Sequence, residues 1–108
     1  MIARVWHGWT APENADRYES LLRDQIFPEI EAKEVSGYRG IQLLRRDLDG
    51  EVEFKTIMWF ESLEAVKDFV GEDLERAYVP DTARAVLARF DERSRHYEVR
   101  RELTYASA

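Results

Sequence analysis

The apolar positions of this chain fall into two rhythms, and the switches between them mark its elements. From Ile2 to Trp9 (IARVWHGW) the alternation has period two, sending Ala3, Val5, His7 and Trp9 to one face and Ile2, Arg4, Trp6 and Gly8 to the other. Apolar residues on both faces suit a central strand. After Thr10-Ala11-Pro12 the spacing lengthens: Ala15, Tyr18, Leu21, Leu22 and Ile26 form one stripe of an amphipathic helix, with Pro12 in its first turn. Pro28 disfavours helical geometry at Phe27 and removes a donor, which predicts an end or a kink there. Residues 29–35 then read as a polar turn or a short helical remnant.

Period two returns in GYRGIQLLRRD (Gly37 to Asp47), with Tyr38, Gly40, Gln42 and Leu44 opposed to Arg39, Ile41, Leu43 and Arg45. Asp49-Gly50 separates it from VEFKTIMWF (Val52 to Phe60), whose Val52, Phe54, Thr56, Met58 and Phe60 share a face. Asp-Gly between two extended runs predicts a hairpin. Ser62 is placed to cap a second helix, Leu63 to Val70, with Val66, Phe69 and Val70 inward and Gly71 in the left-handed position after it. Residues 72–78 suggest another helical turn before Val79-Pro80. The stretch 82–90 fits a short helix or an irregular buried segment, the latter preferred, and Ser94 to Leu103 reads as the last strand.

Strand, helix, hairpin, helix, strand is a βαββαβ order. Right-handed crossovers turn it into an α+β, ferredoxin-like domain with a four-stranded antiparallel sheet and both helices on one face. The expected domain spans residues 1–103, with a frayed tail over 104–108. The uncovered face still carries large apolar residues, Ile57 and Trp59 among them, and such a face calls for a partner. A second copy packed sheet to sheet about a two-fold axis is the economical choice.

Composition narrows the function classes. The chain has 108 residues and a net charge of −6, which argues against nucleic acid or an anionic membrane surface as partner. It has no cysteine, so thiolate metal sites, iron–sulfur clusters, disulfides and cysteine nucleophiles are excluded. No apolar run approaches the roughly 20 residues of a membrane span and no targeting segment opens the chain, so the cytoplasm is the expected location. No GxSxG elbow and no glycine-rich nucleotide loop occurs.

Five stretches together carry a resemblance: IARVWHG (Ile2 to Gly8), GYRG (Gly37 to Gly40), MWFESLEAVKDFVGED (Met58 to Asp73), LERAYVPD (Leu74 to Asp81) and HYEV (His96 to Val99). Over Ile2 to Val99 the chain resembles the antibiotic biosynthesis monooxygenase-like family, a branch of the dimeric α+β barrels. The resemblance implies a homodimer and a pocket in each subunit between sheet and helices. It also implies oxygenation of a polycyclic aromatic substrate without metal or flavin. One branch of that family degrades haem with an Asn on strand one, a Trp in helix two and a proximal His after it. Here those positions hold His7, Phe69, and Tyr78 or Val79, so haem cleavage is not expected and no cofactor is assigned.

The candidate site follows. His7 and His96 are the only histidines, and a last strand antiparallel to the first would bring them near each other on a shared face. Either imidazole could act as general base at neutral pH, or each could be a structural histidine bonded to backbone or carboxylate. With Glu98 they also suggest a facial metal triad, which the geometry of His96 and Glu98, i and i+2 on one strand, has to decide, and no metal site is assigned. Tyr78, on the turn before Pro80, is the third candidate catalytic group. Trp6, Trp9, Trp59 and Phe69 are candidate substrate-binding residues, able to line a slot for a planar ligand or simply to fill core and interface. Two functions are therefore expected: a cofactor-independent monooxygenase acting on a hydrophobic aromatic or quinone-like small molecule, or a noncatalytic dimeric ligand-binding or stress-associated protein.

Overall fold

The computed structural model describes residues 1–106. The first strand, β1 (Ile2–Thr10), lies at its centre. On one side β1 pairs antiparallel along its whole length with β3 (Glu51–Phe60), and β3 pairs with β2 (Tyr38–Leu48). On the other side β1 pairs with two short strands, β4 (Arg89–Phe90) and β5 (Arg95–Glu98). The order β2-β3-β1 followed by β4 and β5 is the ferredoxin-like α+β fold, with the last strand divided in two.

Between the pairs Gly8–Phe90 and Val5–Arg95 β1 has two residues and its partner four, so the ladder is interrupted there, and it ends where β1 runs out. Ile2 is the last residue of β1 to pair and it faces Glu98, and the Val99 N–H closes the ladder on the Met1 carbonyl at 2.9 Å. Residues Arg100 to Leu103, expected to continue the strand, have no neighbouring strand left to pair with. Residues 89–90, in the stretch expected to be irregular, instead reach the other end of β1. Of the tail expected over 104–108, residues 104–106 form neither helix nor strand, and Ser107 and Ala108 lie outside the described residues.

The first helix does not end at Pro28. A single helical path runs from the 3-10 turn Pro12–Asn14 through α1 (Ala15–Leu21), a π turn (Leu22–Ile26) and α2 (Phe27–Ala32), with αR backbone at every junction. The π turn, in which the Phe27 N–H reaches the Leu22 carbonyl, immediately precedes the proline. Pro28 offers no N–H to the preceding turn, where Arg23 and Asp24 are exposed to water. The same wide turn serves packing. Tyr18, Leu22, Ile26 and Ile30 are all buried at a strict four-residue spacing, which drifts around a 3.6-residue helix, and one wider turn takes up part of that drift.

The hairpin and second helix form as the pattern predicts. Gly50 turns at φ 83, and the buried face of β3 is Val52, Phe54, Thr56, Met58 and Phe60. In α3 (Leu63–Val70) the Ser62 hydroxyl accepts from the Ala65 N–H, and Gly71 leaves the helix at φ 94, ψ −161, a region open to glycine. Two details differ. A bulge at Tyr38/Gly40 flips the start of β2, so Tyr38 packs on Phe60 with Ile41 and Leu43 rather than sharing the face of Gly40 and Gln42. Residues 72–78, expected to make a helical turn, hold a single hydrogen-bonded turn, Arg76 N–H to Asp73 O at 3.0 Å, and no helix. Their backbone bonds across to residues 92–94, through Ala77 N–H to Glu92 O and Ser94 N–H to Glu75 O. A four-residue helix, α4 (Asp81–Arg84), follows.

Every helix lies against one sheet face, and Tyr18, Phe54, Phe60 and Val66 form the fully buried centre beneath them. Each such side chain contributes about 1.5–3 kcal/mol of burial. The other sheet face is only half-covered: Val5, Ile57 and Trp59 are partly accessible, and Leu44 and Tyr97 are exposed. No helix is long and apolar enough to cross a membrane.

Candidate functional site

The covered face of β1 supplies the first wall of a small cavity. Arg4 and Trp6 point toward the helices, as the period-two pattern requires, and Thr56 and Met58 of β3 extend the floor. The buried stripe of the helical path, Tyr18, Leu22, Ile26 and Ile30, forms the opposite wall, and Tyr78, Val79 and Pro80 close one end with Ser94. The cavity holds about 40 Å³ of free space. That is room for ordered water, whereas pockets for drug-sized ligands run to roughly 300 Å³ and more. The π turn lies along one of its walls.

Its lining is mostly apolar, with a few polar groups from different elements. Tyr18 is 1% exposed and packs edge-on against Phe54, and burial pushes its phenol well above the ordinary value, so it stays a neutral donor. Thr56 and Ser94 are buried too. Arg4 is the unusual one, a guanidinium only 2% exposed. Its Nη1 donates to the Leu74 carbonyl at 2.6 Å and to His96 Nε2 at 2.8 Å, and its Nη2 donates to the Arg76 carbonyl at 2.5 Å. Burial lowers its pKa to about 10, offset in part by the Glu75 charge, so it remains a cation at neutral pH.

Because arginine can only donate, His96 Nε2 is an acceptor in this pair and the imidazole is neutral, with its proton on Nδ1. Burial, with the neighbouring Arg4 charge, lowers the His96 pKa below its ordinary value. His96 therefore reaches the cavity through Arg4 rather than lining it.

The two histidines do not share a face. His96 sits opposite Arg4 in the register and His7 opposite Lys55, one residue out of phase along β1, so His7 emerges on the open side of the sheet. There Asp91 Oδ2 lies 3.0 Å from Nδ1, Glu53 Oε2 lies 3.7 Å from Nε2, and the ring stacks on Trp9 with centroids 5.8 Å apart. The Arg89 guanidinium also lies over Trp9, 3.9 Å from its ring centroid. A joint site of His7 and His96, and any triad of the two with Glu98, is thereby ruled out. Among the described residues no group of three or more His, Asp or Glu is placed to hold a metal ion.

The expected aromatic slot is likewise divided by the sheet. Trp6 lines the cavity, with its Nε1 donating to the Asp91 carbonyl at 2.7 Å, and so does Tyr78. Phe69 stands behind Tyr78, ring centroids 5.1 Å apart, with the Arg4 guanidinium 5.9 Å from its centroid. Trp9 and Trp59 lie on the open face with His7. Arg4, Tyr18, Thr56 and Ser94 were not singled out from sequence. For Arg4 a signal existed, since a lone arginine stands among Ile2, Trp6 and Gly8 on the strand most enclosed by its neighbours.

Beyond Tyr78 the surface opens into a groove of about 340 Å³. Phe69, Tyr78 and Pro80 contribute to its lining, together with Lys33, Arg76 and Arg84. It shares Tyr78, Val79 and Pro80 with the cavity.

Fold and site together define a ferredoxin-like α+β domain with a small, largely apolar cavity between its sheet and its helices. No family model matches the sequence, and no curated protein matches it. Solved structures do match. Among them is the crystal structure of a candidate antibiotic biosynthesis monooxygenase from Bacillus cereus, with a TM-score of 0.66 over 96% of this chain and 97% of that one, at 13% identity. At that identity the likeness is one of fold.

Proposed function

We propose that the protein is a cofactor-independent monooxygenase acting on a hydrophobic aromatic or quinone-like small molecule bound in the cavity between sheet and helices. The observation that carries the reading is the cavity itself: apolar, walled by Trp6 and Tyr78, and supplied with a few convergent polar groups. The likeness of fold to the candidate monooxygenase adds to it. In this reading the substrate enters as its conjugate base, its acidic proton given up to water, and its electron-rich ring carbon reacts with dioxygen. One oxygen atom stays as a carbonyl where two hydrogens were, and the other leaves as water, so the substrate supplies all four electrons. Trp6 and Tyr78 orient the ring, Phe69 supports Tyr78, and His96 holds Arg4 in place. His7, Trp9 and Trp59 belong instead to an interface with a second copy, formed by the open face of the sheet.

A second reading, a binding protein without turnover, is favoured by one observation: neither histidine lines the cavity. Oxygen uptake and thermal shift with a panel of phenols and quinones separate the two. Uptake that Tyr78→Phe slows while ligand stabilisation persists supports the enzyme. Stabilisation by several ligands with no uptake by any of them moves the assignment to the binding protein. Because a ring needs more room than the closed cavity has, binding also requires the Tyr78–Pro80 segment or the helical path to move outward.

A further inference from the structure

We infer that the cavity takes its ligand as a planar aromatic oxyanion, a carboxylate or an enolate, with the negative group on the guanidinium of Arg4; the inference rests on the cavity being the ligand site. Arg4 is a cation 2% exposed, and its three acceptors, two backbone carbonyls and a neutral imidazole, carry no formal charge. Among the described residues no carboxylate lies within ion-pair distance of it. A buried charge is costly unless it is paired, and an arriving anion would supply the missing partner.

The donor count agrees. A guanidinium has five N–H groups, and the three hydrogen bonds leave Nε–H and one Nη2 N–H for a ligand. Two donors on one planar group suit a planar oxyanion.

The approach to the cavity carries the same sign. Lys33, Arg76 and Arg84 border the adjoining groove, and none of them pairs with a carboxylate among the described residues. On a chain of net charge −6 this is a local positive field beside the one wall, Tyr78 to Pro80, that groove and cavity share. Such a field raises the association rate of an anion and weakens with salt.

The test compares pairs of equal size and different charge by calorimetry at neutral pH: 2-naphthoate against 2-naphthamide, and 2-hydroxy-1,4-naphthoquinone against 1,4-naphthoquinone. The first pair reports a carboxylate and the second an enolate. A charge-assisted hydrogen bond predicts that the anion of at least one pair binds about tenfold or more tightly than its neutral partner. In Arg4→Met protein that preference disappears. Arg4 also ties Leu74 and Arg76 to the sheet, so the wild-type ratio is the primary readout and stands without the variant. Equal affinity within both pairs overturns the anion assignment and leaves the cavity as a ligand site. Binding of none of the four overturns both.

Discussion

Arg4 Nη1 donates to His96 Nε2 across the β1–β5 ladder at 2.8 Å, joining the cation of the cavity wall to one of the chain's two histidines. The bond survives only while the imidazole is neutral, because a protonated ring has no lone pair to offer. This makes the pair sensitive to pH. The folded chain holds the His96 pKa below its ordinary value, chiefly by burial, so between the unfolded value near about 6.5 and the lowered folded value the unfolded chain binds more protons. Stability is therefore full above that window and is lost as pH falls through it. Thermal melts from pH 7.5 downward are expected to show a falling Tm in the wild type and a shallower fall in His96→Gln, whose amide oxygen accepts from Arg4 without titrating. Parallel curves would assign the pH dependence to other groups.

Gly8 is a packing position rather than a flexible one. A Cβ there would lie 2.7 Å from Cη2 of Trp6 and 2.9 Å from Cδ2 of Leu87. Both contacts are with side chains held against the sheet, and the Trp6 indole is further fixed by its bond to the Asp91 carbonyl. Gly8→Ala should cost about 1–3 kcal/mol, the usual penalty of overpacking, measured as a lower midpoint in urea at unchanged slope.

How much of this was legible in the sequence depends on what each feature rests on. The hairpin, α3 and the buried face of β3 follow from local rules, namely Asp49-Gly50, the Ser62 cap and strict alternation from Val52 to Phe60, and local rules were sufficient. Local rules leave the helix at Pro28 open between an end and a kink, because the π turn that carries it through is set by the packing of Tyr18, Leu22, Ile26 and Ile30 against the sheet, a tertiary fact. The placement of the histidines turned on register. Reading residues as near one another on adjacent strands says nothing about phase, and His96 faces Arg4, so His7 falls on the other side. Trp6 and Tyr78, which line the cavity, stand out in the sequence as aromatics on a central strand and beside a turn. Arg4 was passed over because charge on a strand is ordinarily solvated, and only its enclosure by Leu74, Arg76 and His96 makes it exceptional.

Trp59 tests the proposed dimer. It lies on the half-covered sheet face with Val5 and Ile57, a face that also carries exposed Leu44 and Tyr97, and those side chains gain burial only against another surface. Light scattering should give twice the 12.8 kDa chain mass for the wild type and a single chain mass for Trp59→Glu. A carboxylate placed on this face would be buried against apolar surface in the proposed dimer, which is costly. A wild-type monomer would overturn the interface and leave the cavity untouched, since all of its walls come from one chain.

Thr10 ends β1 with its side chain fully enclosed, 0% exposed, and its Oγ1 has no hydrogen-bond partner among the described residues. A buried hydroxyl without a partner forfeits the hydrogen bonds it made to water in the unfolded chain, a loss of about 1–3 kcal/mol that its methyl group does not recover. Valine has nearly the same shape and the same preference for strands, so Thr10→Val should remove the penalty without disturbing the pairing of Thr10 with Val52. The expected result is a gain of about 1 kcal/mol in urea unfolding, with ligand affinity in the cavity unchanged because Thr10 does not line it. A loss of stability instead would mean that the hydroxyl is satisfied in solution, and a water held beside Oγ1 would be the first group to look for by crystallography.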